Sequence, residues 1–204
     1  MTGEREAAKQ RTRRALVEAG IELFSEQGLD GPSLDAICER AGFTRGAFYV
    51  HFRDRDDFIV AVMEAAGPPI LDELIAAEPG EALPQVFARF LSAFSDGRYP
   101  LAPRGGIRPH QLIDACVRSP RVRERYVELV VEAIRRVREG VAQGQRGGLL
   151  RDDVDPQAAA TLLLAAIIGG QTMSELEVPY DFASTAAAML GLLQPLGSGR
   201  VRSG

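Results

Sequence analysis

Apolar residues recur at intervals of three and four positions along most of the chain, which is the spacing of amphipathic helices. The first such run predicts a helix from about Lys9 to Gln27, with Gly28 as its C-terminal stop. Residues 1–8 are polar and charged, and we expect them to form a disordered lead-in. The buried stripe of this helix is predicted to consist of Ala15, Leu16, Ala19, Leu23 and Phe24.

Two short helices joined by a tight turn are predicted next. Ser33 is suited to cap the first, about Leu34 to Arg40, and Thr44 to cap the second, about Arg45 to Val50. Gly42 between them can adopt the positive φ that a sharp reversal requires. This is the construction of a helix-turn-helix, in which the second helix enters the DNA major groove. The residues that the second helix is expected to direct inward are Phe48 and Phe52.

A fourth helix is predicted after Asp54, with Asp57 completing a capping box. The sequence Gly67-Pro68-Pro69 is expected to interrupt it, because proline lacks the backbone donor and restricts the residue before it. A short helical piece to Ala77 follows. The pattern as a whole predicts an all-α fold of about nine helices. Later helices are predicted at Glu81 to Asp96, His110 to Val117, Pro120 to Gly144, Gln157 to Glu175 and Phe182 to Leu193, with an irregular loop at 97–109.

The predicted helix from Gln157 to Glu175 is apolar on nearly all sides, so it must be buried on more than one side. The helix after it, Phe182 to Leu193, has a face of small residues that allows close approach of another helix. Burial inside one helical domain and burial against a second copy of the chain both satisfy this pattern. A helix-turn-helix that reads a palindrome also requires a two-fold partner. The residues expected at a dimer interface are Leu162, Ala166, Gly169, Gly170, Ala187 and Gly191.

The composition favours helices and an intracellular location. Hydrophobic residues make up 46% of the chain but aromatic residues only 6%, so the core is expected to consist of Ala, Leu, Val and Ile. Cys38 and Cys116 lie in apolar helical patterns and are interpreted as core residues in a reducing compartment. The opening residues show no secretion signal and no stretch is long enough to span a bilayer, so we expect a cytoplasmic protein without a membrane partner.

The net charge of −4 by itself argues against a nucleic-acid partner, but the distribution of the charges reverses that inference. Four basic residues crowd the start of the first helix, and three more flank the second helix of the motif. They are Lys9, Arg11, Arg13 and Arg14, followed by Arg45, Arg53 and Arg55.

One segment resembles the DNA-binding domain of the tetracycline-repressor (TetR) family of transcriptional regulators; it is AGFTRGAFYVHF, with Arg55 after it and TRRALVEAGIELFSEQGLDGPS before it. The resemblance covers roughly residues 10–60. It implies a three-helix DNA-binding domain at 1–53 and a helical ligand-binding and dimerisation domain at 54–204, whose last two helices form the dimer interface. It also implies a homodimer that binds double-stranded DNA at a palindromic operator and is released by a small-molecule effector of unknown identity. Repression fits better than activation, because a compact dimer on a promoter blocks polymerase without further contacts.

Base readout requires side chains on the exposed face of the second motif helix. Arg45 is the best candidate, since its forked guanidinium can pair with guanine O6 and N7. Thr44 and Ala47 are placed to touch base edges or a thymine methyl group, and Gly46 leaves room for close seating of the helix.

Six further residues are expected to contact backbone phosphates, to which hydroxyls and helix N-termini are suited. Thr12 and Arg13 stand at the start of the first helix, and the family resemblance assigns the same role to Ser33, Tyr49, His51 and Arg55. Purely structural roles also fit four of these candidate DNA contacts. Ser33 and Thr44 also fit as helix caps alone, Arg55 as an exposed charge and His51 as a half-buried, hydrogen-bonded residue.

The resemblance implies that the C-terminal domain binds a small molecule and that binding moves the fourth helix, which spreads the two recognition helices. An apolar pocket with a few polar groups is expected, suited to an uncharged or weakly acidic aromatic or lipophilic compound. Most candidates for its lining fit equally well as ordinary core. They are Met63, Phe87, Phe90, Phe94, Tyr99, His110, Cys116, Tyr126, Gln171 and Met173.

Two other functions compete with a DNA-binding regulator: a helical small-molecule-binding protein without sequence-specific DNA binding, and an enzyme. The chain has only two histidines and no HExxH, CxxC, GxSxG or GxxxxGK[ST] run, so no catalytic residue, metal or cofactor is expected. The basic arm and the complete motif favour the regulator.

Overall fold

The computed structural model describes residues 2–75 and 107–195, and all regular secondary structure in these ranges is helical. The prediction of an all-α fold is confirmed. The helix predicted at 81–96 lies outside the described residues, as does most of the predicted loop. The described helices are α1 (Thr2–Gln27), α2 (Leu34–Ala41), α3 (Arg45–His51), α4 (Arg55–Ile75), α5 (Pro109–Arg118), α6 (Pro120–Arg146), α7 (Pro156–Glu175) and α8 (Phe182–Leu193).

Helix α1 begins much earlier than its apolar stripe, so the predicted disordered lead-in is wrong for residues 2–8. Residues 3–8 are all exposed, and helix-favouring residue types extend the helix there without burial. Glu4 lies in the first turn, where an acid interacts favourably with the helix dipole, and the Gln10 amide donates to Glu6 one turn away.

The caps and the turn of the helix-turn-helix agree with the predictions. Ser33 Oγ accepts a hydrogen bond from Ala36 N at 3.1 Å, and Thr44 Oγ1 accepts one from Ala47 N at 3.3 Å. Gly42 has φ of 75°, the left-handed conformation that ends α2 and reverses the chain. Local hydrogen bonds therefore fix where α2 and α3 begin and how they are joined.

Helix α4 continues through Pro68 and Pro69 to Ile75, so the predicted interruption at this sequence is wrong. Proline fixes φ at a value that a helix uses, and its penalty comes from the missing donor and from crowding of the preceding turn. The two carbonyls left without a helical donor belong to Glu64 and Ala65, which are exposed and can bond to water instead. At the other end, Asp57 N donates to Asp54 Oδ1 at 2.8 Å, and Asp57 Oδ2 accepts a hydrogen bond from Arg53 N at 3.0 Å, so the predicted arrangement is box-like, with Arg53 N in place of Asp54 N as the second donor.

The described residues form two compact units. The first contains residues up to 73 together with 107–130, and the second contains 74–75 and 131–195. The predicted division after residue 53 separates a DNA-binding from a ligand-binding domain by function, and it stays a prediction. The second unit has its own apolar core, formed by Val141, Leu150, Ala159, Leu163 and Leu193.

An aromatic cluster forms the centre of the first unit. Phe48 and Phe52 are buried, as predicted, and their rings lie 5.3 and 5.0 Å from that of Phe58 on α4. Phe58 in turn meets the ring of Phe24 on α1, with centroids 6.0 Å apart. The cluster therefore joins α3 to α1 and α4. Cys38 and Cys116 are buried in the same core and are unpaired, in agreement with the prediction.

Within the ranges described, no helix combines the length and the apolar character needed to cross a membrane. Among the same residues, no group of three His, Cys, Asp or Glu side chains is arranged to hold a metal ion.

Candidate nucleic-acid interface

Helix α3 has one buried side and one exposed side. Phe48 is completely buried, whereas Arg45, Tyr49 and Val50 are 55, 52 and 66% exposed. Gly46 lies between them, and a Cβ built on it would have only Thr44 Oγ1 within 4 Å, at 3.6 Å. The outer face of this two-turn helix is therefore unobstructed, and it carries a guanidinium and a phenol as hydrogen-bond donors.

The start of α3 lies beside the first turn of α2. Asp35, the second residue of α2, places Oδ1 3.4 Å from Nε of Arg45. Ser33 and Thr44, the two caps, are both exposed, while Ala47 is partly buried. The hydroxyls of Ser33 and Thr44 each accept a backbone hydrogen bond and keep their own proton to donate.

The end of α3 lies beside the basic part of α1. The guanidinium of Arg13 stacks over the ring of Phe52, 5.5 Å from its centroid, and Arg13 Nη2 is 3.9 Å from Glu64 Oε2. Burial lowers the pKa of His51, and the positive charges of Lys9 and Arg13 lower it further. The lowered pKa favours the neutral imidazole, which has one ring N–H to donate.

Two of the predicted phosphate contacts are engaged within the protein. Arg55 Nη2 donates to the Leu29 carbonyl at 2.7 Å, and its guanidinium lies 5.7 Å from the centroid of the Phe24 ring. Burial lowers the pKa of Arg55. Thr12 Oγ1 donates to the Ala8 carbonyl one turn earlier in α1. The hydrogen bond gives Arg55 a role in holding the α1–α2 loop, and its predicted phosphate contact stays a prediction.

Several contacts to this loop come from far along the chain and were missed by the sequence analysis. Gln111 Oε1 on α5 accepts hydrogen bonds from Leu29 N at 3.2 Å and Arg108 N at 3.1 Å. Arg118 at the end of α5 pairs with Asp30 at 3.1 Å. Partners more than 80 residues apart leave no periodic signal that a single sequence can show.

The candidate pocket residues fall in different environments. Met63 and Cys116 are buried in the core of the first unit, and Tyr126 packs against it partly buried, with its pKa raised by burial. His110 is exposed, as is Met173, whereas Gln171 is partly buried. Four candidates, Phe87, Phe90, Phe94 and Tyr99, lie outside the described residues. The predicted pocket therefore stays a prediction.

The candidate dimer residues are mostly on the surface of the single chain. Leu162 is 61% exposed and Ala166 is partly exposed. Gly170 differs, because it is buried within its own chain and its carbonyl accepts a hydrogen bond from Tyr180. The others are exposed, namely Gly169, Ala187 and Gly191. At helical spacing, α7 presents an exposed apolar stripe of Ala158, Leu162, Ala165, Gly169 and Met173.

An exposed second helix, packed through aromatic residues onto two neighbouring helices, defines a helix-turn-helix protein. Sequence comparison specifies the family. Residues 16–62 match the profile of the bacterial regulatory proteins of the tetR family, and residues 81–189 match the tetracyclin repressor-like C-terminal domain. The second match alone covers more than half of the chain. The chain belongs to the tetR family.

Curated relatives carry the same helix-turn-helix. The HTH-type transcriptional regulator AcrR of Shigella flexneri is 38% identical over 77 residues, which cover 36% of this chain and 36% of AcrR. The alignment thus spans about a third of that relative. The HTH-type transcriptional repressor DhaR of Mycobacterium sp. (strain GP1) is 23% identical over 83% of this chain and 85% of its own.

Solved structures show the same fold over most of the chain. GusR of Salmonella enterica has a TM-score of 0.67 and 26% identity, covering 89% of this chain and 95% of its own. A complex of SmeT with triclosan has a TM-score of 0.66 and 23% identity, covering 91% and 93% of the two chains. Regulators of this family bind DNA, act as dimers and bind small-molecule effectors.

Proposed function

We propose that this protein is a ligand-responsive transcriptional repressor that binds a palindromic operator as a homodimer and is released by a small molecule. The observation that carries the proposal is the unobstructed outer face of α3, with an exposed arginine at its start and phenylalanines beneath it. The B-DNA major groove is about 12 Å wide and admits a helix presented in this way. The proposed partner is chromosomal DNA, which implies a cytoplasmic location, and no catalytic role is included.

The proposed contacts divide into base readout and phosphate binding. Arg45 is assigned to guanine, with Thr44, Gly46 and Ala47 close to the base edges. The remaining side chains position the helix on the backbone, and Arg55 keeps donors for this role besides the one that bonds to the Leu29 carbonyl. The proposed phosphate contacts are Thr12, Arg13, Ser33, Tyr49, His51 and Arg55.

The exposed apolar stripe on α7 supports the proposed dimer. A stripe of this kind on a helix surface marks a contact with another apolar surface, and a second copy supplies one of the same shape through a two-fold axis. The effector is proposed to be an aromatic or lipophilic compound. The triclosan complex of SmeT, a protein of the same fold, is consistent with that class.

Selection of bound duplexes from a random pool, at moderate salt, tests the proposal. We expect a palindromic site whose half-sites are one or more helical turns apart, about 34–36 Å per turn. Arg45→Ala should weaken binding by about 1–3 kcal/mol and relax the preference at one position of each half-site. Arg146→Ala, which removes an exposed arginine of the second unit, serves as the control and should leave the selected site unchanged. Recovery of salt-sensitive binding without sequence preference would contradict the proposal.

A further inference from the structure

A pair of opposite charges lies where α2 and α3 both begin. Asp35 Oδ1 is 3.4 Å from Arg45 Nε, and the two side chains are 69 and 55% exposed. The acid therefore stands on the same exposed surface as the arginine proposed to read a base.

The contact leaves most of the arginine available. A guanidinium carries five N–H donors, one on Nε and four on the two terminal nitrogens. Asp35 faces Nε, so the terminal nitrogens keep their donors for the two acceptors of guanine, O6 and N7. Arg45 is thus able to contact the carboxylate and a guanine at the same time, with fewer side-chain orientations open to it.

The charge of Asp35 acts differently on bases and on phosphates. Phosphates are present in every duplex, and an exposed carboxylate facing them opposes binding to all sequences alike. It also offsets the attraction of the Arg45 guanidinium for any phosphate nearby. The benefit of an oriented guanidinium appears only where a guanine is present. Specificity is a difference between affinities, so the repulsion common to all duplexes does not change it. The orientation of Arg45 toward guanine and its weaker attraction to phosphates in non-operator complexes both widen the gap between operator and other DNA.

We propose that Asp35 is a positioning residue for operator recognition, which holds Arg45 toward the guanine and disfavours its use on backbone phosphates. The proposal rests on the proposed function, because it requires Arg45 to read a base. It assigns a specificity role to an acid on the DNA-facing surface of α2.

The test compares Asp35→Asn, Arg45→Ala and the double variant. The affinity of each is measured for the selected operator and for duplexes in which the base pair proposed to be read by Arg45 is changed. Asparagine keeps the size of the side chain and removes the charge. Asp35→Asn should reduce discrimination at that base pair about two- to fivefold, the range expected for an exposed ion pair. Binding to a scrambled duplex should become tighter, because a charge that repels phosphates has been removed. In the double variant, the Asp35 effect on that base pair should disappear. Glu39→Gln removes an exposed acid one turn further along α2 and should leave discrimination unchanged.

Three results separate the possible failures. If Arg45→Ala weakens all duplexes equally, base readout by Arg45 is refuted and the role of Asp35 falls with it. If Arg45→Ala removes the base preference at one base pair of the operator and Asp35→Asn leaves that preference unchanged, the positioning role alone is refuted. If Asp35→Asn has the same effect in the Arg45→Ala background, Asp35 acts without Arg45, which also overturns the proposal. Thermal unfolding of each variant shows whether loss of an acid from the first turn of α2 has destabilised the helix itself.

Discussion

Arg55 is a half-buried cation that forms a hydrogen bond to one backbone carbonyl of the α1–α2 loop. Its Nη2 donates to the Leu29 carbonyl at 2.7 Å, and the Phe24 ring covers one face of the guanidinium. A buried carbonyl without a donor is unfavourable, and a charged donor makes one of the stronger hydrogen bonds. Arg55 therefore connects the start of α4 to the loop between α1 and α2.

Replacement of Arg55 tests this role. Arg55→Ala should lower the free energy of unfolding by about 2 kcal/mol, because it removes a charged hydrogen bond and leaves the Leu29 carbonyl unpaired. Arg53→Ala removes a neighbouring arginine that is 74% exposed and should change stability by less than about 0.5 kcal/mol. Urea unfolding measures both. A salt dependence of operator binding that decreases by about one unit in Arg55→Ala would also support the phosphate contact predicted from the sequence.

Residues whose partners are close in sequence were predictable, and residues with distant partners were not. Ser33 and Thr44 cap the helices that follow them, so a window of four residues contains the whole interaction. Arg55 and its partner Leu29 are 26 residues apart in the sequence, and Gln111 and Leu29 are 82 residues apart. Those pairings depend on how helices pack, and a single sequence does not record that packing.

At the scale of helices, the errors of the sequence analysis share a cause. Residues 2–8 were expected to be disordered because they lack an apolar stripe, yet helix propensity alone continues α1 through them. Pro68 and Pro69 were expected to break α4, yet the residues whose carbonyls lose a helical donor, Glu64 and Ala65, are exposed and can bond to water. In both places, solvent exposure makes an unusual helix acceptable.

Helix α5 is held to the α1–α2 loop through Gln111. Replacement of two glycines, one beside Gln111 and one far from it, allows the strength of that contact to be measured. Gly28 and Gly42 both have φ of +75°, so a side chain at either position is strained by about 1 kcal/mol. A Cβ at Gly42 meets nothing within 4 Å, but one at Gly28 would lie 2.7 Å from Gln111 Oε1 and displace it from Leu29 N.

We therefore expect Gly42→Ala to lower the free energy of unfolding by about 1 kcal/mol and Gly28→Ala by about 2 kcal/mol. The difference corresponds to the hydrogen bond from Leu29 N to Gln111. Chemical denaturation of the two variants and of Gln111→Ala provides the comparison. Equal losses for the two glycine variants would mean that the Gln111 contact contributes nothing to stability.

At the scale of the whole molecule, the helices at 156–193 carry an exposed apolar surface that no other part of ranges 2–75 and 107–195 covers. Leu162 is 61% exposed, and a Cβ on Gly169 or Gly191 would have no atom of the described residues within 4 Å. A second copy packed on this surface would bury it, and the glycines would allow close approach of the helices. The proposed dimer thus accounts for residues that the fold of one chain leaves exposed.

Leu162→Arg tests the dimer without disturbing the core of the monomer. The arginine is tolerated on an exposed surface but is unfavourable when buried in an apolar interface, so the variant should become monomeric at micromolar concentration. Leu149→Arg makes the same replacement at a leucine that is 51% exposed and lies outside α7 and α8, and it should remain dimeric. Sedimentation measures the masses. A Leu162→Arg variant with the mass of the parent protein would place the interface elsewhere.

The separation of α3 into a buried side and an exposed side has an evolutionary consequence. Phe48 and Phe52 hold the helix in place, whereas Arg45, Tyr49 and Val50 contribute little to the core. Replacements on the outer side therefore carry little penalty in folding, and under the proposed function those at base-reading positions such as Arg45 alter which DNA sequence is preferred. A duplicated gene can in this way acquire a new target site in a few substitutions and keep its scaffold, so closely related chains of this architecture are expected to differ most where they meet DNA.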